Sequence, residues 1–452
     1  MNLDSDLTTA PIPGLIRKLG IPVSVGYFFH TMFNVVDTYF AGLISTQALA
    51  ALSASFPVFF ILIAVGSGFS VGATALIANA LGARDPERAC LFAVQALIFA
   101  LILALAVTCL GLVSAPYLFR ALGAKGEYLK FALAYMDTIF LGSVFFMLNY
   151  MFNAVLNSQG RTKPMRNFLI LGFFLNVGLD PWFIYGGWGL PPLGVTGVAL
   201  ATVAIQATGT IYLGLSARRT GLLGGFGPRA LLPRWQAVKQ IVHQGLPASV
   251  NYMTIGLGIY VILYFVGGFG EKAVAAYGAA VRVEQIILMP TIGLNVATLS
   301  LVAQNNGAGL FGRIDQTVRT ALAYGGALMA LGAGVLLALA HYLMGFFTDD
   351  PQVQGMGALY LRIDALTLFA YVVLFVSTAA LQGVKKPMFA IWIGLFRQFA
   401  APVAVFFLCT QILALGLVSI WWGIFGITWS AAAIAYLYAR RQLAGMVPKR
   451  KC

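Results

Sequence analysis

The sequence predicts an all-α integral membrane protein, with twelve transmembrane helices in two six-helix lobes related by a pseudo-two-fold axis along the membrane normal. Three observations predict it. The 452 residues are 60% hydrophobic and only 9% charged, with a mean hydropathy of +0.88, which leaves too little polar surface to clothe a soluble globule. Apolar stretches long enough to cross ~30 Å of hydrocarbon at ~1.5 Å per residue recur along the whole length. Residues 22–82 also reappear without a gap 225 positions later, Pro22 of GIPVSV meeting Pro247 of GLPASV, Gly68 meeting Gly293 and Arg88 meeting Arg313. One ancestral bundle occurs twice.

The spans follow in order. The first, 14–43, carries Pro22 near its start, where the ring removes a backbone donor and invites a kink; a hinge is expected there. The second and third, 47–80 and 89–115, flank the polar turn Arg84-Asp85-Pro86-Glu87. The fourth, 128–158, ends in the basic loop GRTKPM, and the fifth and sixth, 165–187 and 193–216, are separated by a turn with Trp188, Pro191 and Pro192. A glycine-rich, basic linker at 217–237 closes the first half, which places the N-lobe at 1–216 and the C-lobe at 238–452. Spans 238–268, 273–305, 313–345 and 353–383 repeat the first four, with Pro247 in the place of Pro22. The loop GVKKPM repeats GRTKPM at an offset of 223, so two residues are missing before the eleventh span, and 388–413 and 416–440 complete the set. An even number of spans brings each half back to the face it started from, so the axis runs along the membrane normal and a cleft between halves is the expected pathway.

The 28 Lys plus Arg against 14 Asp plus Glu would suggest nucleic acid in a soluble protein, but here their placement decides. Counting loops alternately gives 20 basic residues to one side and four, Arg120, Lys125, Lys130 and Lys272, to the other. Both termini are therefore expected in the cytoplasm and the protein in the inner (plasma) membrane, with the bilayer and no nucleic acid as partner. The short N-terminus with Asp4 and Asp6 lacks the basic region and cleavage site of a signal peptide. Cys90 and Cys452 fall on the cytoplasmic side and Cys109 and Cys409 inside spans, so no disulfide is expected. His30, His243 and His341 lack metal-ligand spacing.

Charged side chains at bilayer depth cost about 2.5–3.5 kcal/mol each, so each one needs a reason. The first half has Asp37, Asp137 and Asp180. Asp37 lies about two turns from the outer end of the first span, Asp180 about two turns from the outer end of the fifth, and Thr202 about two turns down the sixth, so the three share a depth. Asn34 and Asn176 stand one turn deeper on the faces of Asp37 and Asp180. Two carboxylates facing each other in a low-dielectric pocket cannot both stay ionised at low cost, and such a pair takes a proton or a hard cation. Asp37, Asn176, Asp180 and Thr202 offer only oxygens and suit proton relay or sodium, with sodium at Asp37, Asn176 and Asp180. The plain alternative is a pair satisfied by local hydroxyls and amides that only fixes helix register. The copy has lost this acid, since Asp37 falls on Ile262, so packing did not require it. The second half has its own charges, Arg282, Glu284, Arg362, Asp364 and Arg397. With both signs present, they read as a neutralised structural network or as a substrate or proton role for Glu284 or Asp364. Phe33, Tyr135, Phe152 and Met253 could present soft apolar surface to a lipophilic cation, and are equally explained as core or lipid-facing residues.

Taken together, GIPVSV, GLPASV, NVVDTYFAG (34–42), GFSVGATALIANALGA (68–83), NSQGRTKPM (157–165), NVGLDPWFIYG (176–186), GVALATV (197–203) and VRVEQIILMPTIGLNVATLSLVAQNNGAG (281–309) resemble the multidrug and toxic compound extrusion (MATE) transporters along essentially the whole chain. The resemblance implies two six-helix lobes, a V-shaped cleft and export driven by a proton or sodium gradient through alternating access. It also implies a first-lobe cation site at Asp37, Asn176 and Asp180, with Thr202 as a further member; Asn34, Tyr135, Asn153 and Phe33 are expected beside it as auxiliary coupling or substrate residues. No acid lies between Gln244 and Gly268, where the NorM branch has a glutamate, so the chain looks more like the DinF branch. The function expected is a monomeric secondary antiporter, not an enzyme and without a cofactor. It would export amphipathic, cationic organic compounds against H+ or Na+. A lipid-linked precursor flippase of the same superfamily is the rival, kept open by Arg282, Arg362 and Arg397.

Overall fold

The computed structural model describes residues 7–121, 123–187, 189–224 and 232–446; Asp4, Asp6, Trp188, the linker positions 225–231 and Cys452 lie outside the described residues. Among the described residues, ten helices are long and apolar enough to cross a membrane, and two bent pairs, counted as one span each, bring the number to twelve. In chain order they are α1 (Ile12–Ile44), α2 (Thr46–Gly82), α3 (Pro86–Ala121), α4 (Gly126–Leu141), α5 (Ser143–Ser158), α6 (Lys163–Tyr185) and α7 (Val195–Arg218). The second half has α8 (Trp235–Gly267), α9 (Glu271–Gly307), α10 (Phe311–Gly345), α11 (Pro351–Ala365), α12 (Leu368–Gly383), α13 (Met388–Leu395), α14 (Ala401–Phe407) and α15 (Val418–Ala444). Large apolar side chains stand exposed on the outer faces, among them Leu105, Leu110 and Val113 on α3 and Leu331 on α10, as a surface solvated by lipid requires.

The fourth and tenth spans, continuous in the sequence reading, are each broken. α4 meets α5 at 49° and α11 meets α12 at 51°. The breaks fall at Gly142 and at Leu366-Thr367, and Thr367 is the duplicate of Gly142 (142 + 225 = 367). At Gly142 a Cβ would run into Val203 of α7, so α5 packs closer there than a side chain allows. At Thr367 the hydroxyl bonds both the carbonyl and the carboxylate of Asp364, competing with the helix ladder. The eleventh span is interrupted by two π turns, Phe396–Ala400 and Leu408–Ile412. Pro402 cannot donate to the carbonyl one turn back, and the turn before it widens until the N–H of Ala401 reaches the carbonyl of Phe396.

Two compact units divide the chain inside helices rather than between them. Val25–Ser249 belongs to one unit, and the start of α1 through Ser24 joins Val250 onward in the other. The two cuts are 225 residues apart (249 − 24), each two residues after the proline of its helix. Each core reflects the exchange. Ala237, Val238 and Ile241 of α8 pack with the first half, while Leu7, Ile12, Leu15, Ile16 and Leu19 pack with the second. The seams use glycine in both units: a Cβ on Gly68 would strike the backbone of Ser249, and a Cβ on Gly293 would strike Gly20 and Ser24. Gly68 and Gly293 are duplicates, as are Ser24 and Ser249. The segments leading into the exchanged helices are held as well. Arg313 donates to the carbonyl of Ala10 at 2.7 Å, Asn305 to that of Leu7 at 3.2 Å, and Gln95 to that of Leu232 at 3.0 Å.

Candidate functional site

The three residues expected at one depth, Asp37, Asp180 and Thr202, meet inside the first unit together with Asn176. α1 presents Asp37, α6 presents Asn176 and Asp180 one turn apart on one face, and α7 presents Thr202. The amide of Asn176 donates to Oδ1 of Asp37 at 2.8 Å, and the hydroxyl of Thr202 donates to Oδ2 at 3.4 Å. Asp37 is 6% exposed and Asp180 and Asn176 are fully buried. Asp180 stands within side-chain hydrogen-bonding reach of both Asp37 and Asn176, a contact that two ionised carboxylates make only with a proton or cation between them. Tyr135, buried on α4, lies within the field of both acids. The pocket therefore combines two buried carboxylates, an unused amide oxygen and a hydroxyl, and among the described residues no basic side chain is bonded to it. Chemically it can take up a proton or a hard cation that prefers oxygen ligands.

The remaining expected residues are dispersed. Asn34 is half-buried and its amide donates to the carbonyl of His30 at 2.9 Å, within its own helix. Phe33, Asn153 and Asp137 are half-buried, and Pro22 is buried inside a continuous α1. Sequence reasoning passed over Gln206 and Asn149. Gln206 sits one turn beyond Thr202 on α7, and its backbone carbonyl and Oε1 accept from Nδ2 of Asn149 at 2.9 and 2.8 Å. The signal was present, since Gln206 follows Thr202 by four and Asn149 precedes Asn153 by four.

In the second unit Glu284, Asp364 and Arg397 lie within one another's field and form a single network of both signs with aromatic walls. The hydroxyl of Tyr360 donates to Oε2 of Glu284 at 2.6 Å, and Tyr277, Tyr360 and Trp421 pack ring against ring around it. Arg397, in the first π turn, lies over the ring of Tyr371 at 5.4 Å from its centre. Asp364 is bonded by Thr367 through one oxygen while its Oδ2 has no partner among the described residues. Arg282 and Arg362 are exposed.

With this geometry in place, comparison with known proteins is informative. The MatE family profile matches residues 22–182 and 247–408, one match per duplicated half. The chain is 28% identical over 396 residues to a FAD transporter of Shewanella oneidensis, covering 86% of each. It is 28% identical over 414 residues to the probable multidrug resistance protein NorM of Thermotoga maritima, covering 90% of this chain and 87% of that one. A solved outward-facing multidrug resistance MATE transporter of the MOP superfamily superposes with a TM-score of 0.90 at 26% identity, over 97% of this chain and 98% of the other. A duplicated twelve-span helical fold, a buried all-oxygen pocket and a profile matching both halves lead to one conclusion: this multi-pass membrane protein belongs to the MatE family of transporters.

Proposed function

We propose that the protein is a secondary antiporter that exports amphipathic, cationic organic compounds in exchange for protons or sodium by alternating access. The observation that carries this reading is the Asp37 pocket, where a carboxylate bonded by Asn176 and Thr202 faces a second buried carboxylate, Asp180, inside an apolar bundle. In this reading both termini are cytoplasmic and the lobes are 1–216 and 238–452, with 217–237 linking them. A cation arriving from outside neutralises Asp37 and Asp180, changes the bend of α1 near Pro22 and displaces the bound compound outward. Competition for the same carboxylates couples the two fluxes without a distant route, because each ligand weakens the other where it binds. A multidrug-named relative supports a lipophilic cargo, and the missing acid between Gln244 and Gly268 supports a DinF-like arrangement with its coupling site in the first lobe. Asp37→Asn is expected to abolish gradient-driven efflux of a lipophilic cation from vesicles while leaving the melting temperature within a few degrees of wild type. Normal efflux by this variant sinks the site assignment.

A second reading, movement of an anionic or pyrophosphate-bearing cargo, is favoured by the exposed Arg282 and Arg362 and by the relative named a FAD transporter. Thermal shifts against lipophilic cations, dinucleotides and lipid-linked pyrophosphates separate the two. Stabilisation by the last two classes alone selects the second reading.

A further inference from the structure

Away from the Asp37 pocket, α6 and α7 end together on a surface to which they contribute only positive charge. The two helices run antiparallel. The ring of Phe168 lies against Gly209, Asn167 donates to the hydroxyl of Tyr212 at 3.4 Å, and Gln159 donates to the carbonyl of Thr220 at 3.3 Å, so the start of α6 lies beside the end of α7. Arg161, Lys163, Arg166, Arg218 and Arg219 gather there, and Lys163, Arg218 and Arg219 are exposed. Among the described residues none of Lys163, Arg166, Arg218 and Arg219 has an acidic partner. Asp180 is the sole acid in the sequence between Asp137 and Glu271, and it stands 14 residues beyond Arg166 on α6 (180 − 166), about 21 Å away at ~1.5 Å per residue. Each helix continues from the cations into an exposed apolar stripe. On α7, Arg219, Leu215 and Ile211 follow at spacings of four; on α6, Lys163, Asn167, Leu171 and Phe174 follow at four, four and three, so each set shares a face. Leu171, Phe174, Ile211 and Leu215 are all exposed. A polar step separates charge from hydrocarbon: Nε and Nη2 of Arg166 donate to Oδ1 of Asn167 at 3.0 and 2.7 Å, and Asn167 in turn reaches Tyr212.

The duplicate of this end is built otherwise. By the offset of 223, Arg161 falls on Val384 and Arg166 on Phe389, which stacks on Tyr438 at 4.5 Å, while Lys386, the counterpart of Lys163, donates to Gln442. The scaffold folds without the extra cations, so packing does not call for them. Cations, then amide and phenol groups, then hydrocarbon is the profile of a phospholipid, with its phosphate, its glycerol esters and its acyl chains. Guanidinium and ammonium donors hold phosphate oxygens by charge-assisted hydrogen bonds. A zwitterionic headgroup brings a cation of its own, so only a net-negative one supplies what these four side chains lack. We propose that the α6–α7 end is a binding site for an anionic phospholipid, its phosphate among Lys163, Arg166, Arg218 and Arg219 and its acyl chains along the Leu171–Phe174 and Ile211–Leu215 stripes. A soluble acidic ligand would use the cations and leave the stripes uncovered. The assignment does not depend on the antiport reading.

Thermal stability of the full-length protein in dodecylmaltoside tests the site. Phosphatidylglycerol is expected to raise the melting temperature by about 3 °C or more, whereas phosphatidylcholine, inorganic phosphate and a poly-glutamate peptide at equal concentration leave it within about 1 °C. Combining Lys163→Gln, Arg166→Gln, Arg218→Gln and Arg219→Gln should raise the phosphatidylglycerol concentration for half the effect by about tenfold or more. Combining Arg84→Gln and Arg88→Gln, exposed basic residues of the same unit, should change it by less than about twofold. An equal shift with phosphatidylcholine, or full retention of the shift in the four-residue variant, overturns the site. An equal shift with inorganic phosphate or with poly-glutamate overturns the lipid and selects a free phosphate or an acidic polypeptide in its place. Cross-linking of the wild-type protein needs no variant to fold. Phosphatidylglycerol with a diazirine in its acyl chain is expected to label residues 163–174 and 211–219 about tenfold more than residues 101–113 on the exposed face of α3, and equal labelling overturns the site.

Discussion

Asp37 accepts hydrogen bonds on both oxygens, a short one from Asn176 and a long one from Thr202. A bond to an ionised group contributes about 1.5–3 kcal/mol, so the two donors should not weigh equally. Asn176→Ala is expected to weaken cation-driven displacement of a bound lipophilic cation by about tenfold or more, and Thr202→Val by about threefold, which follows from a donor at 3.4 Å being near the limit of a hydrogen bond. Titrating displacement with acid and with sodium in each variant checks the order; a larger loss for Thr202→Val contradicts it. The second unit has the opposite chemistry around its acids. Glu284 is bonded by tyrosines and faces Arg397, which rests on Tyr371, so charge there is set among aromatic rings and a cation, whereas Asp37 has an amide, a hydroxyl and a second carboxyl around it. Ile262, the duplicate of Asp37, packs against the core of the second half, and the duplicated scaffold therefore uses one position as core in one copy and as a buried acid in the other.

At the scale of the element, glycine sets how closely α2 and α9 approach the exchanged helix ends. Gly68→Val is expected to destabilise the protein by about 1–3 kcal/mol, because the added side chain meets the backbone of Ser249 and cannot rotate away from it. The duplicate change Gly293→Val should cost a similar amount through Gly20 and Ser24. Melting curves in detergent check both, and a neutral Gly68→Val excludes the close seam. The bends at Gly142 and Thr367 follow a different logic. Each divides a span that is continuous in hydropathy, one by tight packing on Val203 and the other by a hydroxyl that bonds back to Asp364. Neither cause is visible in hydropathy, which explains why 128–158 and 353–383 read as single spans. The π turns of the eleventh span escaped for the same reason, although Pro402 marked the place.

At the scale of the whole molecule, each unit is completed by the leading end of a helix whose remainder belongs to the other unit. The segment entering α1 is fastened by Arg313 and Asn305 to the carbonyls of Ala10 and Leu7. Arg313→Ala is expected to cost about 2 kcal/mol, since it removes charged donors from partly buried acceptors. A fall in melting temperature with accelerated proteolysis near the N-terminus is the result anticipated; unchanged stability rules the fastening out. Transport at fixed membrane potential, with proton and sodium gradients varied independently, is expected to respond to at least one gradient and to lose that response in Asp37→Asn. A response to neither gradient contradicts antiport.

Composition determined that the chain lives in a bilayer, since so few polar residues cannot cover a soluble core, and the offset of 225 determined that one bundle is built twice. Helical spacing placed Asp37, Asp180 and Thr202 at a common depth, because rise per residue is fixed by the backbone. Depth is only one coordinate. Rotation of α1, α6 and α7 about their own axes, which brings Asn176 to 2.8 Å from Asp37 and leaves Asn34 bonded within its own helix, depends on how glycines, rings and branched side chains interlock across helices far apart along the chain. The exchange of helix ends and the aromatic enclosure of Glu284 were decided there too, by packing between helices that are distant along the chain.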